Sequence, residues 1–433
     1  MTVALNKKVL IITYYWPPAG GPGVQRVLKF AKYLPQFGWQ PIILTVKNGD
    51  YPAIDKSLIS EIPQGCKVYT TKSIEPFNLY RKFTRKKSNE KIPTFVLNNN
   101  DNENIIDRIA KWIRANLFIP DARIGWQPFL VREGLKVIEK EKPTVIFSSS
   151  PPHSLQLGAL RLARKTGLRW VADFRDPWTD AFWQKDANLI RSNRSKNKDI
   201  SLERSVLKSA NFIISVSDSI NDLFKSKIDR NNYFTIPNGF DDTDFINQWS
   251  PSEKFRITYT GNVGKDQDLN NLFSAISVLS EEIKNLLEIN FFGGLHQSVI
   301  DNIRKYNLIN LIKINPYITH DKNIEIITNS DLLLLSIPNV PNNNGIVTGK
   351  LFEYLATGNF ILGIGPKDGD AAEILQETGT GIMLDFDKNP GEILLEQIRN
   401  WKNNTKTDIN PEEVKKYSRK YLTRQLVKIL ENA

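Results

Sequence analysis

Cysteine is almost missing from this sequence: Cys66 is the only one in 433 residues. No intramolecular disulfide can form, so the fold must rest on packed cores, and a reducing compartment suits the chain. Histidine is scarce too, and His153, His296 and His320 stand too far apart in sequence to argue for a metal cluster. No apolar run approaches the roughly 18 to 20 residues that cross a bilayer. Lys7-Lys8 followed by Val9–Trp16 has the order of a signal sequence, but the apolar stretch is short and runs into Pro17-Pro18-Ala19-Gly20-Gly21. It reads as a buried first strand, and a cytoplasmic location is the expectation.

What is present is enough apolar material for two cores, 40% of the chain, at a length too great for one ordinary domain. Apolar runs of strand length alternate with segments of helical spacing. Val9–Thr13, Pro41–Thr45, Cys66–Thr71, Val145–Ser149, Trp170–Phe174 and Phe212–Ser217 read as strands. Val24, Val27, Leu28, Ala31 and Leu34 have the spacing of a helix face. A polar stretch, Asp241–Lys254, interrupts this pattern, which restarts with Phe255–Tyr259 and continues through Glu288–Phe292, Ile312–Tyr317, Asp331–Ile337 and Phe360–Ile364. The fold class expected is α/β: two Rossmann-like, doubly wound domains facing across a cleft. The boundaries predicted are 1–238 for the first domain, 239–254 for a linker, 255–410 for the second domain and 411–433 for a C-terminal helix packing back on the first.

The net charge of +11 and pI near 9.3 fit a nucleic-acid-binding protein. The basic residues are spread along a strongly patterned α/β chain with no DNA- or RNA-binding motif, so no nucleic-acid partner is expected. One basic concentration stands out, Arg81-Lys82 with Arg85-Lys86-Lys87 and Lys91. Beyond it Ile105, Ile106, Ile109, Trp112, Ile113 and Leu117 form an apolar stripe, an arrangement suited either to an anionic membrane surface or to packing on the domain's own core.

The most informative segment is Gly345–Gly365. A helix opening with Thr348-Gly349-Lys350 presents unpaired N–H groups at an end that favours phosphate. Lys350 adds a full charge there, and Glu353, one turn deeper, has the reach to accept two ribose hydroxyls. A lone Lys-x-x-Glu is equally a pair of solvated helix charges, so its neighbours in the sequence decide. The first glycine turn, Gly20-Gly21-Pro22-Gly23, lacks a third glycine at dinucleotide spacing, and the second strand ends in Thr45-Val46-Lys47 without a carboxylate. That argues against a nicotinamide or flavin cofactor. Gly21 then serves either backbone geometry or a loop approaching sugar or phosphate. Asp242-Thr243-Asp244 has the pattern of a metal-gripping Asp-x-Asp but falls in the linker. His153 follows Ser148-Ser149-Ser150-Pro151-Pro152 at a strand end, and Arg175 and Asp176 follow another, positions that line ligand sites or serve as caps and structural ion pairs.

Five motifs in order, Ser149–His153, Asp173–Trp178, Ile236–Gly239, Tyr259–Gly264 and Gly349–Gly358, resemble the family 4 retaining glycosyltransferases of the GT-B fold, in particular bacterial members that build surface polysaccharides. The resemblance covers nearly the whole chain. It implies a nucleotide-diphosphate-sugar donor in the second domain, with Glu353 on the ribose, Lys350 and Lys265 near the diphosphate, and Thr348, Gly349, Gly261 and Asn262 close to the phosphates. It also implies a saccharide or lipid-linked acceptor at the first domain. Their positions just after strands make Arg175, Asp176 and His153 catalytic candidates together with Lys350 and Lys265, and Gly21 joins the donor-binding candidates through its loop's approach to sugar or phosphate. No cofactor is expected, and no metal is required where protein groups supply the charge. One departure stands out. The family's other glutamate, eight residues before the position of Glu353, is here Gly345, so its contacts to the transferred sugar do not carry over. A nucleotide-sugar epimerase on the same architecture is the alternative activity.

Overall fold

The computed structural model of the chain describes residues 7–74, 105–245, 249–405 and 407–433. These fall into two compact units, Met1–Ile236 with Leu422–Ala433, and Pro237–Tyr421. The first holds a sheet of β1 (Lys7–Thr13), β2 (Trp39–Val46), β3 (Lys67–Thr71), β4 (Val145–Ser150), β5 (Arg169–Phe174), β6 (Phe212–Ser215) and β7 (Tyr233–Thr235), in the order β3-β2-β1-β4-β5-β6-β7. The second holds β8 (Phe255–Thr260), β9 (Leu287–Phe292), β10 (Ile312–Asn315), β11 (Leu332–Ser336), β12 (Phe360–Ile364) and β13 (Gly381–Leu384), ordered β10-β9-β8-β11-β12-β13. All the pairings are parallel. Each unit is therefore a Rossmann-like α/β domain, with its switch of strand order between β1 and β4 or between β8 and β11.

The central strands, such as β1, β4 and β11, are buried on both faces because helices cover both. Along β1, Val9 and Ile11 join Val24, Val27 and Leu28 of the helix Pro22–Tyr33 and Leu426 of the last helix. The alternate residues Leu10 and Ile12 join Leu130 and Leu155 from helices on the other side. In the second unit, Leu332 and Leu334 of β11 face one core and Leu333 and Leu335 the other. The period of two thus feeds two cores per sheet.

Three details depart from the sequence pattern. Each sheet has one further edge strand, β7 and β13, whose three or four residues are partly exposed and too short to show a period. The basic C-terminal stretch is not one helix but two, Pro411–Lys415 and Arg419–Asn432. The break arises because the chain there pairs with Phe240: the Phe240 N–H donates to Tyr417 O at 3.2 Å, and the Arg419 N–H donates to Phe240 O at 2.7 Å. Main chain spent on that bridge is not available to continue a helix.

Candidate functional site

Rossmann sheets offer ligands the carboxyl ends of the strands flanking the switch point. In the second unit that is the loop after β8 and the segment between β11 and the helix Gly349–Thr357. The loop leaves β8 through Gly261, whose φ of +99° favours glycine. Three of its amides are already committed. Gly261 N–H donates to Phe292 O at 2.8 Å, Val263 N–H to Gly294 O at 2.9 Å and Gly264 N–H to Gln267 Oε1 at 2.6 Å. Asn262 Oδ1 accepts from Gly294 N–H at 2.9 Å. Gly261 also makes room: a Cβ there would lie 3.2 Å from Lys350 Nζ and 3.4 Å from its Cε.

Open donors lie instead at the start of the helix Gly349–Thr357. Leu351 N–H donates to Thr348 O at 3.2 Å, which leaves the amides of Gly349 and Lys350 for a ligand. Thr348 occupies the N-cap position, yet its side chain caps nothing, and its buried Oγ1 has no hydrogen-bond partner. A buried polar atom without a partner, beside two outward amides and a cation, is what an anion site needs before its anion arrives.

Lys350 turns from this helix end onto Tyr259. Its Nζ donates to Tyr259 Oη at 2.6 Å and lies 4.1 Å from the ring centroid. Burial pulls the ammonium's pKa down to about 8, with Glu353 opposing the shift. Glu353, a turn deeper, accepts from Asn323 Nδ2 at 2.9 Å, and His320 Nδ1 is 3.9 Å from its other oxygen. His320 Nε2 in turn meets Asp244 at 3.2 Å. Burial pushes the Glu353 carboxyl above its usual range and the Asp244 charge adds to this, while His320 and Arg419 oppose it. Asn323 and His320 sit three apart on the helix His320–Thr328, a spacing visible in the sequence without any sign of the carboxylate they face. Tyr259 is likewise a residue that sequence reasoning did not single out.

Other candidates lie elsewhere in the second unit. Lys265 is exposed and lines a cavity of about 480 Å³ with Gln267, Asn270, Phe273, Ser298 and Asn302. The walls of that cavity include none of Thr348, Lys350 and Glu353. Asp242-Thr243-Asp244 forms a 3-10 turn in which the Asp241 side chain accepts from Thr243 N–H at 3.2 Å. His296 caps the helix Gln297–Lys305. Among the described residues no group of three or more His, Cys, Asp or Glu is placed to hold a metal ion.

In the first unit the polar groups at the strand ends are mostly consumed by one another. Asp173 at the end of β5 pairs with Arg26, Nη2 to Oδ1 at 2.6 Å with both side chains fully buried, and also accepts from Ser149 Oγ at 2.6 Å. The Arg175 guanidinium donates to Ser150 O at 3.0 Å, to Pro151 O at 2.7 Å and to Gly23 O. It ties the loop after β4 to the first glycine turn, in which Gly21 has a φ of +88° and open space where a Cβ would stand. His153 stacks on Trp178 at 5.0 Å and 9°. Burial lowers its pKa to about 3, helped by Arg175 and Lys227, so it is a neutral ring, and its Nδ1 has no partner. Trp178 is pinned by Asp199, which accepts from its Nε1 at 2.8 Å. Asp176 is the exception: it is half-buried, its carboxyl is pushed up by burial against the pull of Arg175, and no hydrogen bond reaches it among the described residues.

Residues 94–244 match the family described as Glycosyltransferase Family 4. No curated protein sequence matches the chain. Solved structures match it nearly end to end. A sucrose-phosphate synthase of Thermosynechococcus elongatus aligns with a TM-score of 0.65 at 12% identity, over 99% of each chain. A glycosyltransferase of Rickettsia africae gives 0.62 at 15%, over 99% of this chain and 100% of its own. The Anabaena protein HepE in complex with UDP gives 0.61 at 12%, over 99% and 100%. At such identities the likeness establishes the fold: two Rossmann-like domains of the GT-B kind.

Proposed function

We propose that this chain is a glycosyltransferase that moves a hexose-type sugar from a nucleoside-diphosphate donor to a saccharide or lipid-linked acceptor. The observation that carries the reading is the helix end at Thr348–Lys350, where two open amides and an unpartnered hydroxyl begin a helix whose second residue is the Lys350 cation, one turn above a carboxylate. A diphosphate fills the cationic end and a ribose reaches Glu353. The likeness to HepE, solved with UDP and with UDP-glucose, and the Glycosyltransferase Family 4 match over residues 94–244 support the same chemistry.

The hard step is departure of the sugar from its diphosphate. Groups that meet the developing charge better than the ground state does lower that barrier. Lys350 and the helix amides supply this charge without a metal. Lys350 must be protonated to do so, and with its pKa near 8 the binding of a nucleoside diphosphate weakens as pH rises through that value. The acceptor is assigned to the first unit, where the unbonded carboxylate of Asp176 is available to a hydroxyl. Retention of configuration and a role in surface-polysaccharide assembly are carried over from the family resemblance, with Gly345 leaving the sugar contacts to the backbone around Ile346–Thr348.

Contact with a membrane belongs to the same proposal. The helix Ile105–Leu117 leaves Trp112, Ile113 and Leu117 exposed, and Leu189 of the helix Gln184–Ile190, which packs beside it, is 86% exposed. The basic run Arg81–Lys91 lies outside the described residues. Among the described residues no helix is long and apolar enough to cross a membrane, so the docking proposed is at the surface, with Trp112 at the interface. Cosedimentation with anionic vesicles should fall as salt rises and fall further in Trp112→Ala; equal recovery with neutral vesicles would remove this part of the reading.

Thermal-shift measurements with UDP, GDP, ADP and dTDP test the function. One nucleotide at a hundred times its dissociation constant should add about 2.7 kcal/mol. Turnover of the sugar donor that needs an acceptor separates a transferase from an epimerase. No shift with any nucleotide would overturn the proposal.

A further inference from the structure

Tyr259 is fully buried in β8, yet its hydroxyl serves the open end of the helix Gly349–Thr357. Its Oη accepts from Lys350 Nζ at 2.6 Å and from Gln267 Nε2 at 3.1 Å, and donates to Asn262 O at 3.1 Å. Gln267 continues the connection, donating to Ser336 O at the end of β11 at 3.1 Å and accepting from Gly264 N–H at 2.6 Å. The ring is itself held, stacked on Phe291 at 5.4 Å and 23°. The lysine stem passes over Gly261, where any side chain would meet it.

We propose that Tyr259 is the positioning residue for Lys350, its ring and hydroxyl together fixing where the ammonium stands at the anion-binding end of the helix. This rests on the nucleoside-diphosphate reading above and deepens it. A lysine side chain left in solvent samples many rotamers, and ordering it when a ligand binds costs affinity. Here the order exists beforehand, because the hydroxyl sets the direction and the ring face sets the depth. Gln267 carries the same register to the glycine loop, so the cation and the loop keep one geometry.

Both contacts favour the protonated amine, whereas burial opposes it. The titratable groups facing Lys350 are Tyr259 from β8 and Glu353 from its own helix. Burial pushes the Tyr259 hydroxyl up to about 12, so it stays neutral while Lys350 titrates near 8. Removing that hydroxyl takes away an acceptor that holds the ammonium more strongly than the neutral amine, and Lys350 should then lose its proton at lower pH.

The test uses the full chain labelled with 13C-lysine, following Lys350 Cε by NMR across pH, with Lys350→Arg to assign the signal. The wild type should titrate near 8, and Tyr259→Phe should titrate at lower pH with a similar melting temperature. An unchanged midpoint would overturn the proposal. A double-mutant cycle keeps it decidable if Tyr259→Phe melts early: UDP, GDP, ADP and dTDP are titrated by calorimetry into wild type, Tyr259→Phe, Lys350→Met and the double variant. Tyr259→Phe should weaken binding about tenfold alone and hardly at all once Lys350 is gone. Equal losses in both backgrounds would mark Tyr259 as merely structural. If the wild type binds none of the nucleotides, the functional reading falls, while the NMR titration still decides the role of Tyr259.

Discussion

The two units present the same topological feature, a parallel sheet with a glycine turn after its central strand, and treat it in opposite ways. In the first, all the strand-end charges named above but that of Asp176 are engaged by the protein itself: Arg26 on Asp173, and Arg175 on the carbonyls of Ser150, Pro151 and Gly23. In the second, the helix end at Thr348–Lys350 keeps a hydroxyl and two amides open, and Glu353 stays half-buried with few partners. Native proteins seldom leave buried polar atoms unpaired. Where they do so beside a cation and a helix N-terminus, a ligand is the simplest completion. A charged motif at a strand end therefore reports a ligand site only when the structure leaves its groups without protein partners.

The largest expected effect is on Lys350. Lys350→Ala should lower turnover of a nucleotide-sugar by roughly 10²–10³-fold, the cost of losing one pre-set stabiliser of developing charge. Glu353→Gln should weaken donor affinity by about tenfold with little loss of turnover, as expected when one charge-assisted hydrogen bond becomes a neutral one. Initial rates at varied donor concentration separate the two. Unchanged kinetics in both variants would mean that the open groups of the second unit are not the donor site.

Arg175 should behave in the contrary way. Its guanidinium is buried against carbonyls, and Arg175→Ala leaves those acceptors unpaired at a cost of about 2–4 kcal/mol of stability. Urea denaturation reads this directly. Intact stability with lost turnover would instead place Arg175 at the reacting sugar and erase the contrast between the units.

The glycine turns sharpen the comparison. Gly21 and Gly261 both have positive φ, so alanine at either costs about 1–2 kcal/mol of backbone strain. Only at Gly261 does the added methyl meet Lys350. Gly261→Ala should therefore lower nucleotide affinity beyond its effect on melting, while Gly21→Ala should change melting alone, as calorimetry and thermal melts on the same samples would show.

The smallest effect is a slope. His153 is neutral when folded, its pKa lowered from 6.5 to about 3 by burial. The unfolded chain binds a proton below 6.5 that the folded chain refuses, so this group takes away about 1.4 kcal/mol per pH unit as pH falls from there toward 3. His153→Phe, which keeps a ring against Trp178, should flatten that part of the stability profile.

Much of this was legible in the sequence, for identifiable reasons. Strands such as Val9–Thr13 and Leu332–Ser336 carry apolar runs buried on both faces, and those runs announce themselves. The edge strands β7 and β13 do not, being short and half-exposed. At the site, Thr348, Gly349, Lys350 and Glu353 share one helix, and helical spacing alone brings them together. Their supports come from distant parts of the chain: Tyr259 from β8, Asn323 and His320 from another helix, and Asp244 from the turn after Phe240. Lys265, beside the glycine loop in sequence, lines a cavity with Gln267, which bonds the same Tyr259 hydroxyl as Lys350. Arg175 and Asp176 are neighbours in sequence with opposite fates, which only the placement of the surrounding carbonyls decides.

Hydrogen exchange measured by mass spectrometry, with and without the nucleoside diphosphate that gives the largest thermal shift, tests the central claim most directly. Slowed exchange is expected in peptides spanning Thr348–Glu353 and Tyr259–Lys265, with peptides spanning Tyr15–Gly23 and Ser149–Ser154 unchanged. Protection confined to the first unit's strand ends, with the helix Gly349–Thr357 exchanging as before, would contradict it.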